Sequence, residues 1–73
     1  MAGTQISGPV ARARGRVAGL SRDRSPDDPE FLAARRDLAA LTLEEHVERV
    51  LAKAPPLTDE QAERIARRLR GVL

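Results

Sequence analysis

The sequence predicts an all-α protein: a long central helix, a C-terminal helix folded back on it as an αα-hairpin, and a flexible basic arm in front. Three observations carry this reading. The stretch from Pro29 to Ala54 contains no Gly and no further Pro, and is rich in Ala, Leu, Glu and Arg, all good helix formers. Pro55-Pro56 follows at once, and a helix cannot run on through that pair. Beyond it, Ala62, Ile65, Ala66 and Leu69 recur at the i, i+3, i+4, i+7 spacing of one helix face.

Residues 1–26 form the arm. Five arginines (Arg12, Arg14, Arg16, Arg22 and Arg24) stand against Asp23, a net +4. Gly3, Gly8, Pro9, Gly15 and Gly19 interrupt the segment, and each glycine costs a helix interior about 1 kcal/mol. After Ile6, only Val10, Val17 and Leu20 can anchor it by apolar contact. A short helix near residues 16–21 is open to it once it has a surface to pack on. The arginines can touch phosphates, fold back on acidic residues, or remain solvated. No aromatic residue interleaves with them, so stacking on single-stranded bases is not expected.

Residues 27–73 read as the helical domain, with helices at 29–54 and 59–70 and a Pro-Pro turn at 55–57. Asp28 is placed to cap the first of these, with Pro29 at the first helical position and Glu30 in the first turn. At 100° per residue, Phe31, Ala34, Leu38 and Leu41 share one face, while Leu43, Val47, Val50, Leu51 and Ala54 share nearly the opposite one. Thr42-Leu43-Glu44-Glu45 has the form of a capping box. The segment is therefore either one continuous helix with two differently facing halves or two helices joined near Thr42. The last helix is the best specified. Thr58 and Gln61 form a capping box, Leu57 and Ala62 occupy staple positions, and Gly71 is a left-handed stop. Its acids Asp59, Glu60 and Glu63 precede Arg64, Arg67, Arg68 and Arg70, the order the helix dipole favours.

The expected hairpin contact is Ile65 and Leu69 on Val47, Val50, Leu51 and Ala54. Phe31, Leu38 and Leu41 then either meet Val17 and Leu20 of the arm or form an exposed patch, the usual mark of a binding surface. These five residues are the candidate partner interface, and the five arm arginines are candidate contacts to nucleic acid or an acidic partner.

Composition narrows the function classes. A chain of 73 residues buries little surface and leans on staples, metals or partners for stability. There is no cysteine and one histidine, His46, so neither a disulfide nor a zinc site is expected. Glu45 and Glu48 flank His46, but neither lies at the i+3 or i+4 spacing that would place it on the same face, and Ser25, Thr42 and Thr58 read as cap or turn residues. No catalytic constellation, cofactor or metal is therefore expected, and the chain is read as a binder and not an enzyme. No apolar run approaches the roughly 18 residues of a membrane span, and no signal-type apolar segment opens the chain. The lack of cysteine fits a reducing cytoplasm.

Two stretches carry a family resemblance. Gly15-Arg16-Val17-Ala18-Gly19-Leu20-Ser21-Arg22-Asp23-Arg24 with Asp27-Asp28-Pro29-Glu30-Phe31 is the first; Ala54-Pro55-Pro56-Leu57-Thr58-Asp59-Glu60-Gln61 is the second. They resemble a family of small actinobacterial prophage proteins, over about Gly15 to Arg70. Between them, Arg35 to Lys53 matches in pattern more than in identity. That family includes a recombination directionality factor, a small accessory protein that makes a serine integrase excise rather than integrate. The resemblance implies a prophage protein with a serine integrase as partner and DNA contacted through that complex or the basic arm. A DNA-binding regulator, and a helical adaptor that self-associates into a homo-oligomer or binds another phage protein, are the alternatives.

Overall fold

The computed structural model describes residues 8–71; residues 1–7, including Ile6 and the hydroxyls of Thr4 and Ser7, lie outside the described residues, as do the last two. The described chain is three helices: α1 (Gly8–Asp23), α2 (Pro29–Lys53) and α3 (Asp59–Leu69). The all-α class read from the sequence is what the chain adopts.

The first departure is α1. The segment expected to be a flexible arm with a short helix near 16–21 is a helix of 16 residues. Its glycines weaken it, but Val10, Ala13, Val17 and Leu20 fall at i, i+3, i+7, i+10, and Phe31, Ala34, Leu38 and Leu41 of α2 repeat the same spacing. Two such stripes pack against each other as an αα-hairpin. Val10 and Ala34 are almost fully enclosed, at 3% and 2% exposure, and the other members of both stripes are half-buried. Tertiary burial of an amphipathic face thus overrides the low intrinsic propensity.

Gly15 and Gly19 have open space where a Cβ would stand. Ala at both positions should therefore stabilise α1 by about 1–2 kcal/mol in total. A thermal melt of the double variant followed by circular dichroism, expected to shift upward, checks this; a downward shift would mean that the glycines serve a close contact.

The turn between α1 and α2 is held by its own polar groups. Asp28 N–H donates to the Ser25 carbonyl at 3.0 Å, and the Ser25 hydroxyl donates to the Asp27 carboxylate at 2.7 Å. Asp28 caps α2 as read, accepting the Phe31 N–H at 3.0 Å.

α2 is one helix of 25 residues, without a break at Thr42. Thr42 and its neighbours contain no breaker, and each half of the helix has a surface of its own to face. The helix ends at Ala54, whose φ of −113° and ψ of 158° are the extended values forced on a residue before proline. α3 opens on the expected capping box. Thr58 Oγ1 accepts the Gln61 N–H at 3.1 Å, and Gln61 Oε1 accepts the Thr58 N–H at 3.0 Å. It closes on Gly71, at φ 71°, whose N–H reaches the Arg68 carbonyl at 3.1 Å.

The second departure concerns the hairpin's members. The close-packed pair is α1 with α2, and no Cα of α3 comes within 8 Å of one in α2. The turn after Lys53 does bring α3 back beside the second half of α2, but the apolar stripes meant to close on each other stand apart. Because the two apolar faces of α2 are nearly opposite, α1 and α3 lie on opposite sides of it. The result is a flat zigzag, with extents of 44 × 41 × 11 Å. That third dimension is about the thickness of a single helix.

Candidate protein-docking groove

Among the described residues, the flat arrangement leaves an apolar concavity between α2 and α3. Leu43, Val47, Val50 and Leu51 line it from α2, Leu57 from the turn, and Ile65 and Leu69 from α3, around about 450 Å³. Each residue is there for a local reason. Pro55-Pro56 ends α2 and removes two backbone donors, so the chain must turn. The Thr58–Gln61 box then restarts a helix whose apolar stripe faces back. These seven side chains are 39–60% exposed, whereas core residues of a packed helix pair are covered. His46 also borders the groove. A shallower depression lined by Arg36, Ala39, Ala40, Glu44 and Glu48 runs on from it past Val47 and Leu69.

The expected partner interface is elsewhere. Val17, Leu20, Phe31, Leu38 and Leu41 were read as one surface, and the structure does bring them together, but as the seam of the α1–α2 hairpin, where all five are half-buried. Of the two arrangements the sequence leaves open, contact with Val17 and Leu20 or an exposed patch, the chain adopts the first. The physical reason is that α1 is long enough to cover them. Phe31 is further shielded by Arg35, whose guanidinium carbon lies 5.8 Å from the ring centroid.

The arginines are also redistributed. Arg24 bridges two carboxylates, Glu30 at 2.8 Å and Asp28 at 3.1 Å, and Arg16 approaches Glu30 at 3.7 Å. The hydrogen bond and charge of Glu30, then the charge of Asp28, push the Arg24 guanidinium further up from its ordinary value. This cluster staples the start of α2 to α1 rather than offering a free cation. Arg12, Arg14 and Arg22 make no ion pair among the described residues, and at 100° per residue they point in three different directions. α1 therefore carries no continuous basic stripe of the kind that follows a phosphate backbone.

Among the described residues there is no group of three or more His, Asp or Glu that could hold a metal ion. No described helix is long and apolar enough to cross a membrane.

The sequence reading missed the groove because it assigned those side chains to one another. A signal was available: the shared spacing of the α1 stripe and the Phe31 stripe already satisfied that face, which leaves the second half of α2 as the one short of cover. No family model, curated protein or solved structure matches the chain.

Proposed function

We propose that this chain is a non-enzymatic recombination directionality factor of a mobile element, which docks on a serine integrase in the cytoplasm and favours excision over integration. The structural observation behind a binding role is the uncovered apolar groove between α2 and α3, since an apolar helix surface of this extent is characteristic of a protein that functions in a complex. The integrase as partner rests on the resemblance of Gly15 to Arg24, Asp27 to Phe31 and Ala54 to Gln61.

A directionality factor shifts an equilibrium between two arrangements of integrase on DNA, which requires only that it bind one of them better. A factor favouring one arrangement by a hundredfold supplies about 2.7 kcal/mol of coupling. Rigid helices with a fixed surface suit that task. Integrase contact falls most naturally on the outer side of the α1–α2 hairpin, where the first resemblance stretch lies and where Arg14 and Arg22 make no ion pair among the described residues. Direct DNA binding is the weaker reading, because those arginines diverge.

The test is to search the gene's neighbourhood for a serine integrase and to run a recombination assay with that integrase, with and without the purified chain. Excision is expected to rise and integration to fall. An unchanged ratio of the two directions sinks the integrase reading.

A further inference from the structure

We infer that the groove between α2 and α3 is occupied by a second copy of this chain, so that the protein is a two-fold dimer built on a four-helix bundle of both copies' α2 and α3. This goes beyond the proposed function and does not rest on the integrase.

Area is the first argument. The chain exposes 6024 Å². A compact monomer of its mass, 8.0 kDa, exposes roughly 4,500 Å². That excess is spread over the whole chain, and the groove's part of it is seven large apolar side chains, each 39–60% exposed. The radius of gyration agrees: 15.4 Å, against about 11 Å for a compact chain of this length. Of the eight large hydrophobic side chains left exposed among the described residues, seven line this groove.

Shape is the second. Stable helical domains have at least two packed layers around a core, and this chain is one layer, 11 Å deep. Stacking a second copy groove to groove supplies the missing layer and turns two open helix pairs into a closed bundle.

Charge selects a second copy over a strongly charged partner. From Leu43 to Gly71 the acids are Glu44, Glu45, Glu48, Asp59, Glu60 and Glu63. Six bases balance them: Arg49, Lys53, the three arginines of α3 and Arg70 at its C-terminal cap. This half is therefore neutral and does not repel itself. Its order is also self-complementary, since the second half of α2 and the whole of α3 each run from acidic to basic. Laid antiparallel, α2 of one copy sets Glu44 and Glu48 beside the basic end of the other copy's α3. A two-fold axis along the helix direction produces that pairing twice, as an isologous interface requires. Parallel pairing of like helices would set acid on acid.

Sedimentation equilibrium of the full chain tests this. The expected mass is twice 8.0 kDa. Leu51→Asp with Ile65→Asp is expected to raise the dimer dissociation constant by about a hundredfold or more, because two charges would be buried without partners. The α1–α2 hairpin lies outside the groove, so circular dichroism of the same variant should retain its helical signal. A wild-type chain that stays monomeric at 100 µM overturns the inference, and so does a dimer indifferent to both substitutions. A monomer that forms a one-to-one complex with integrase through Leu51 and Ile65 assigns the groove to that partner instead, and equally overturns it. The two proposals fail separately: a dimer with no effect on excision leaves the interface standing, and excision promoted by a monomer leaves the directionality factor standing.

Discussion

Ala34→Arg will detach α1 from α2 and lower the melting temperature of the protein by more than about 10 °C. Ala34 is 2% exposed, and the hollow beside it is lined by Arg12, Arg16 and Asp37. A larger side chain has no room at this helix–helix approach, and overpacking alone costs about 1–3 kcal/mol. The added charge also meets Arg12 and Arg16, and one acid, Asp37, cannot offset both. A total on the order of 3 kcal/mol corresponds to more than about 10 °C in a domain of this size. Ala34→Ser, nearly isosteric and with a hydroxyl that can bond the carbonyl four residues back, is expected to cost under about 1 kcal/mol. Thermal melts at one fixed protein concentration decide this, because a dimer's melting point depends on concentration. If residues 8–23 were a loose arm instead of a packed helix, the arginine variant would melt with the wild type.

That comparison shows where the sequence was legible. Caps were read correctly because they are local: Asp28 before Pro29, Thr58 with Gln61, and Gly71 all act within one turn of the chain. The extent of α2 followed from propensity, and its two opposed faces from periodicity. α1 was harder, since Gly15 and Gly19 argue locally against a helix and only the distant stripe from Phe31 to Leu41 argues for one. The groove was hardest. Sequence pattern shows that Val47, Val50 and Leu51 on one side, and Ile65 and Leu69 on the other, each need apolar cover. It does not show whether they cover each other, because that depends on the span set by the Pro-Pro turn. The same ambiguity touches the candidate interface: two apolar faces are visible on α2, and for Phe31, Leu38 and Leu41 the pattern leaves open both contact with Val17 and Leu20 and an exposed patch, whereas in the fold α1 half-covers them.

Replacing Pro55 and Pro56 with alanine will fuse α2 and α3 into one helix and abolish the groove. Each proline in a helix interior is disfavoured by about 3 kcal/mol relative to alanine, so the pair accounts for the whole stop. With it removed, Lys53 to Leu57 becomes Lys-Ala-Ala-Ala-Leu, a strong helix-forming run. What remains to hold the turn is the Thr58–Gln61 box, worth about 1 kcal/mol, and whatever contact the two stripes make across the groove. Within one chain that contact is weak, because α3 brings no Cα within 8 Å of α2. The fused helix would run from Pro29 to Leu69, about 60 Å at 1.5 Å per residue, and small-angle scattering should show a maximum dimension well beyond the present longest extent of 44 Å. Helical content by circular dichroism should rise at the same time. The dimer should be lost with the groove, since its four-helix bundle requires α3 to lie beside α2. Unchanged scattering would mean that the α2–α3 turn is held by contacts across the groove and not by the prolines, and the second copy proposed there would be the natural source of them.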